Sequence, residues 1–241
     1  MDDLGALQAM AVPYELELTA EEWSTLSTFL DLLTEANSRM NLTRIVERED
    51  AWRRHVLDSL TLLPFIEAAG ARHLLDLGSG GGFPGIPLAI CRPDLPVTLL
   101  EATGKKARYL AETATSLGLD HVTVLSERAE TLGSPDGGGR GAWDVVTARA
   151  VGGLPVLLEL ALPLVSDGGA LLAIKGERAE QEIAEAGQAL RTLKATIEIT
   201  RRTPTGTIVV ARRTGPIARQ WPRRPGEPAR APIGGVPRDQ R

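Results

Sequence analysis

The sequence predicts an α/β protein whose sheet is mostly parallel and ends in an antiparallel hairpin, preceded by a small N-terminal helical cap. Three observations predict it. From residue 72, strand-length apolar runs at 73–77, 97–101, 122–125, 143–148 and 170–175 alternate with helical patterns at 84–91, 105–117, 154–164 and 177–193, and such alternation demands a parallel sheet covered on both faces. The rhythm then changes: 196–202 and 207–213, joined through Thr203-Pro204-Thr205-Gly206, read as a hairpin, which pairs antiparallel. Ahead of the sheet, Thr19-Ala20-Glu21-Glu22 is a capping box that opens a helix to about Ser38, with Trp23, Leu26, Leu30 and Leu33 on one face. A second helix over about 48–68 keeps Trp52, Val56, Leu60 and Leu63 on one stripe. Residues 1–18 show no period and read as irregular. The expected division is 1–70 for the cap, 71–213 for the sheet domain and 214–241 for a tail.

Each part has a composition to match. At 241 residues, 43% hydrophobic and 24% charged, the chain has the make-up of a soluble globular protein that builds one core with appendages. No apolar run approaches the ~20 residues that span a bilayer, and Met1-Asp2-Asp3 is not the basic start of a signal peptide. The expectation is a cytoplasmic protein without membrane contact, in which the lone Cys91 stays reduced. Charge is uneven. The tail from Arg212 carries eight arginines against Glu227 and Asp239, +6, so within a total of -4 the rest of the chain is -10. Six prolines among those arginines predict a flexible tail whose cations attract polyanions. Gly133–Gly141, with Pro135 and three consecutive glycines, reads as a flexible surface insertion without an assigned role.

The functional centre is the run Leu74-Leu75-Asp76-Leu77-Gly78-Ser79-Gly80-Gly81-Gly82-Phe83-Pro84-Gly85-Ile86-Pro87, an apolar strand, a glycine turn and a helix. Glycines allow a backbone to wrap a ligand closely. Two cofactors compete for it. Gly80, Gly82 and Gly85 satisfy the dinucleotide pattern, with Glu101 where a ribose-binding acid belongs. S-adenosylmethionine enzymes use a related turn with an acid at the end of the first strand, and Asp76 fits that pattern. Ligands of open α/β sheets lie beyond the carboxyl ends of the strands, which here carry Asp76 and Gly78, then Glu101, then Ala129 and Glu130, then Arg149. Glu101 offers two acceptor oxygens for both ribose hydroxyls.

Three motifs resemble those of a known family. Asn41-Leu42-Thr43, Arg54-His55-Val56-Leu57-Asp58-Ser59, and the extended glycine loop through Phe83-Pro84-Gly85-Ile86-Pro87-Leu88, followed by Glu101 with Lys105-Lys106, resemble the bacterial small-subunit ribosomal RNA methyltransferase G family, also called glucose-inhibited division protein B. The resemblance covers about residues 20–212, and Arg224-Pro225-Gly226-Glu227-Pro228-Ala229 resembles the ending of many members. It implies the Rossmann-like S-adenosylmethionine-dependent methyltransferase fold, S-adenosyl-L-methionine as cofactor, and methylation of guanine N7 in 16S ribosomal RNA, with that RNA or the small ribosomal subunit as partner and no oligomer required. Cofactor contacts are implied at Gly78, Phe83, Ala129, Glu130 and Arg149, and the residue-level reading adds Asp76, Gly80, Gly82 and Glu101. A nicotinamide oxidoreductase and a non-catalytic binding module are the alternatives. The antiparallel hairpin speaks against the first, since a nicotinamide domain continues with parallel units.

The catalytic expectation is negative as much as positive. His55, Asp58 and Ser59 lie on adjacent turns of one helix and cannot alone build a triad; no nucleophile elbow is present. Cys91 reads as a core residue. The fourth strand ends in Thr147-Ala148-Arg149-Ala150, without the Asp or Asn, prolines and aromatic that clamp an exocyclic amino group. A ring nitrogen loses no proton on methylation and needs no general base, so none is assigned. Arg149 and Lys175 are expected to touch substrate or transition state, Lys175 more strongly than any tail arginine; Lys105, Lys106 and Arg108 are further candidates for RNA phosphate. No metal site is expected.

Overall fold

The computed structural model describes residues 4–235, so Arg238, Asp239 and Arg241 of the tail lie outside the described residues. In chain order it contains α1 (Leu4–Ala11), α2 (Ala20–Met40), α3 (Arg48–Ala51), a π-helical turn (Trp52–Leu57), α4 (Asp58–Leu60), α5 (Leu63–Ala68), β1 (Leu74–Leu77), α6 (Gly85–Cys91), β2 (Val97–Leu100), α7 (Gly104–Ser116), β3 (Val122–Leu125), α8 (Ala129–Leu132), β4 (Trp143–Arg149), α9 (Leu154–Ala161), β5 (Val165–Lys175), α10 (Ala179–Glu185), α11 (Gly187–Thr192), β6 (Ala195–Arg202), β7 (Thr207–Arg213) and α12 (Glu227–Arg230).

The strands form one sheet in the order β3-β2-β1-β4-β5-β7-β6. β1 to β5 are parallel, and β7 inserts antiparallel between β5 and β6, as the alternating pattern and the hairpin require. Alternation within each strand divides the core. Leu74, Val97, Leu99 and Val145 face the helical cap together with α6 and α7, while Leu75, Leu77, Val146 and Ala148 face α9 and α11. The helix begun by the capping box forms as expected: Thr19 accepts from the Glu22 amide, and Glu22 accepts in return from the Thr19 amide at 2.7 Å.

Four expectations are corrected. The N-terminal residues read as irregular hold α1, which buries Leu7 and Ala11. The second helix is not continuous: the turn Trp52–Leu57 is π-helical, and the chain bends again at Thr61 and Leu62 before α5. A π-turn keeps the apolar stripe roughly in place, so hydrophobic periodicity does not reveal it. The insertion 133–141 is packed: a Cβ at Gly137 would come within 1.9 Å of the Thr131 carbonyl oxygen, and one at Gly139 within 2.6 Å of the Leu132 side chain.

The largest correction concerns the tail. Residues 214–235 are fastened to the body, burying Ile217, Pro222, Pro228 and Ile233 and forming the short helix α12. Arg140 donates to the carbonyls of Ile217 (2.6 Å), Ala218 (3.2 Å) and Trp221 (2.5 Å). Arg223 makes a two-pronged pair with Glu159, which is 0% exposed. Composition alone signals a disordered segment, because the acids that hold it, Glu159 and Glu130, lie far back in the chain.

Candidate active site

The site lies where β1 and β4 meet, at the carboxyl ends of the parallel strands. Beyond Leu77 the loop turns on three left-handed glycines, Gly78 (φ +74°), Gly80 (+54°) and Gly82 (+98°). The Gly78 and Ser79 amides donate to the Leu100 carbonyl, at 2.8 and 3.2 Å, which pins the loop across the end of β2. The two flanking carboxylates then divide. Glu101, just past β2, accepts from the Gly80 amide at Oε2 (3.0 Å) and from the Thr103 amide at Oε1 (2.7 Å). Each oxygen keeps a lone pair, so this acid, 7% exposed, could accept from a ribose diol without giving up its anchors. Gly78, beside it, is exposed.

Asp76, expected at the cofactor, is enclosed. It is 0% exposed, accepts from the Gly85 amide (3.1 Å) and the Thr147 hydroxyl (3.1 Å), and braces the far end of the glycine loop against β1 and β4. Burial pushes its carboxyl up to about 6, against the pull of those hydrogen bonds. Gly85 is glycine because a Cβ there would lie 2.3 Å from Leu99 Cδ2 and 2.8 Å from Asp76 Oδ2.

Phe83 and Arg149 are turned toward the cap. The Phe83 ring stacks on His55 with centroids 4.5 Å apart, tilts against Phe29 at 5.0 Å, and has the Arg149 guanidinium 5.0 Å from its centre. Arg149 donates through Nη1 to the Arg54 carbonyl (2.6 Å) and through Nη2 to His55 Nδ1 (2.9 Å), with Asp58 Oδ2 at 3.7 Å from Nη1. Because arginine only donates, His55 Nδ1 accepts, so the proton sits on Nε2 and is given to the Thr43 hydroxyl at 2.7 Å. Burial, then the Arg149 charge, lowers the imidazole to about 3. His55 is therefore neutral, with both nitrogens engaged. Asp58 is pushed up by burial, opposed by the Thr205 hydroxyl hydrogen bond and by Arg149. Thr205, in the β6–β7 turn, donates to Asp58 Oδ1. The sequence offered no signal for this contact, which joins residues 147 positions apart.

Lys175 is not a free cation. It is 7% exposed, pairs with Glu182 Oε2 at 2.7 Å and donates to the Gly152 carbonyl at 2.6 Å. Glu182 in turn accepts from the Leu154 amide at 2.8 Å, so the pair clamps the loop after β4. Lys105 and Arg108 are exposed on α7. Ala129 and Glu130 begin α8, and Glu130 Oε1 already accepts from the Gly226 amide of the tail at 2.8 Å. Among the described residues no group of three or more His, Cys, Asp or Glu side chains could hold a metal ion. Nor, among the described residues, is any helix long and apolar enough to cross a membrane.

This geometry has relatives. The family described as rRNA small subunit methyltransferase G matches residues 22–205. The chain belongs to that family. The Ribosomal RNA small subunit methyltransferase G of Sorangium cellulosum is 51% identical over 209 residues, covering 86% of each chain. That of Chloroflexus aggregans is 43% identical over 224 residues, covering 90% of this chain and 93% of its own. Among solved structures, an O-methyltransferase from Bacillus cereus in complex with SAH superposes with a TM-score of 0.59 at 19% identity, covering 87% of this chain and 97% of that one. A SAM-dependent methyltransferase from Aquifex aeolicus gives 0.54 at 14% identity, covering 72% and 97%. At such identities the likeness is one of fold, and the fold is that of S-adenosylmethionine-dependent methyltransferases, as the family resemblance implied. The nicotinamide alternative falls with it.

Proposed function

We propose that this methyltransferase moves a methyl group from S-adenosylmethionine to N7 of a guanine in 16S ribosomal RNA, met as RNA or within the small ribosomal subunit in the cytoplasm, without need of an oligomer. The observation that carries the cofactor reading is Glu101, an acid anchored by two loop amides with acceptor capacity to spare beside the exposed Gly78 backbone. The names of the relatives support the substrate.

S-adenosylmethionine, when bound, supplies an electrophilic methyl on a sulfonium: the N7 lone pair forms the new C–N bond as the C–S bond breaks, and its electron pair goes to sulfur. The chain's own residues bind and align. Gly78, Gly80 and Gly82 give the ligand a backbone surface, Glu101 takes the ribose, and Ala129 with Glu130 takes the adenine edge. Arg149 and Phe83 contribute indirectly, by locking the cap against the glycine loop. No proton moves. His55 has both nitrogens engaged, and burial beside Arg149 lowers its imidazole to about 3, so it offers no base, which suits a ring nitrogen and not an amino group.

The test is methyl transfer from labelled cofactor to small ribosomal subunits of a strain lacking the enzyme, with the base located by cleavage at N7-methylguanine. Label at guanine N7 is expected. Label on an exocyclic nitrogen, on protein or on a small molecule refutes the proposal.

A further inference from the structure

Two segments that the sequence left outside the chemistry, the insertion 133–141 and the tail, grip one another, and between them they hold α8. This helix has four residues, Ala129–Leu132. One turn has no stability of its own, since nucleating a helix fixes several residues for a single hydrogen bond. Its geometry must be imposed from outside. At its C-terminal end the Gly133 carbonyl accepts from Arg140 Nη1 at 3.0 Å, while the same guanidinium binds the tail carbonyls of Ile217, Ala218 and Trp221. At its start, Glu130 is tied to the Gly226 amide. The tail cannot drift, because Arg223 anchors it to the fully buried Glu159 of α9 through two side-chain nitrogens and its own amide, at 2.5 to 3.0 Å.

We propose that the C-terminal segment is a working wall of the cofactor pocket. Arg140 and Gly226 are positioning groups that fix Ala129 and Glu130 at the adenine edge and so set the preference for adenine over other bases. This rests on the assignment of that edge to Ala129 and Glu130. It gives the tail a role at the cofactor beside the attraction for polyanions expected of its cations. Arg140 touches only main-chain carbonyls in these contacts, so its influence on base choice runs through α8.

The full-length protein tests this with two ligands, S-adenosylhomocysteine and S-inosylhomocysteine, whose 6-oxo base presents a donor at N1 where adenine presents an acceptor. Dissociation constants from calorimetry should favour the adenine ligand by roughly tenfold or more in the unaltered protein. In Arg140→Met that ratio should fall by about fivefold or more, with KM rising for S-adenosylmethionine and unchanged for RNA. If Arg140→Met does not fold, Arg140→Lys decides in its place: three ammonium donors cannot serve four carbonyls on two segments at once, and its ratio should fall likewise. An unaltered protein that does not distinguish the two ligands overturns the adenine assignment itself. A folded Arg140→Met or Arg140→Lys with the original ratio, or one that loses only RNA affinity, overturns the role of the strap.

Discussion

Asp76 lies in β1 and Glu101 just past the adjacent parallel strand β2, and their carboxylates, both buried, have different surroundings. Asp76 pairs in register with Leu99, so Glu101 stands two rungs further along the sheet. At the rung of Asp76 the first turn of α6 lies so close that Gly85 has no room for a Cβ, and the acid is sealed into a brace. At the rung of Glu101 the sheet has ended, and the acid accepts from the amides of Gly80 and Thr103. Two rungs of a strand thus separate an acid sealed beneath the loop from one that holds a loop amide and is proposed to hold a ligand as well.

Mutations can break this contrast. Asp76→Ala leaves the Gly85 amide and the Thr147 hydroxyl without their acceptor, and roughly 3–5 kcal/mol of stability should disappear in denaturant unfolding; a loss below about 1 kcal/mol would mean that the brace is not tight. The next effect is one of pH. A carboxyl raised from 3.8 to about 6 favours the folded state below pH 3.8, and that advantage is lost as pH rises through 6, by at most on the order of 3 kcal/mol. The stability of the unaltered protein relative to Asp76→Asn should therefore fall between pH 4 and 6 and level off above, and a flat difference would remove the buried charge from the account. Glu101→Ala should shift the balance: about 1–3 kcal/mol of cofactor affinity lost in calorimetry, with a smaller loss in unfolding without ligand than Asp76→Ala gives, since Thr103 is exposed and its amide can turn to water. Smallest is the effect of exposed cations. Lys105→Ala with Arg108→Ala should lower the slope of log RNA affinity against log salt by about 0.7 for each phosphate no longer neutralised and leave Kd for cofactor unchanged; an unchanged slope would take α7 off the RNA path.

The sequence displayed whatever depends on local spacing. The parallel strands, the closing hairpin, the capping box at Thr19 and the glycine loop with Glu101 were legible because periodicity, turn chemistry and residue type report them directly. The side-chain partnerships were not. Nothing around Arg149 announces that His55, Asp58 and the Arg54 carbonyl will surround it. Nothing around Lys175 announces Glu182, so both cations read as free when they are tied down. The arginine-rich, proline-rich tail carries the composition of a disordered segment, and only tertiary contacts to Arg140, Glu159 and Glu130 override it. The role of Asp76 was misjudged for a related reason: an acid near a strand end looks the same in sequence whether the next layer stops one residue before it or two after.

The β6 strand has a consequence for how copies of this protein meet one another. It is the outer rung of the sheet beyond β7, and an outer rung offers unpaired amides and carbonyls on which a neighbouring chain can zip. Here the ladder is interrupted by an irregularity between Ile197 and Ile199, which twists the strand locally. Glu198, Arg201 and Arg202 place charges along it, each held by a partner on its own chain. The exposed Ile199 is thus flanked by a kink on one side and by cations on the other. A strand arriving from a second molecule meets a broken register and charges already committed within the chain, and edge-to-edge stacking into fibrils is disfavoured along a border where the sheet would otherwise permit it.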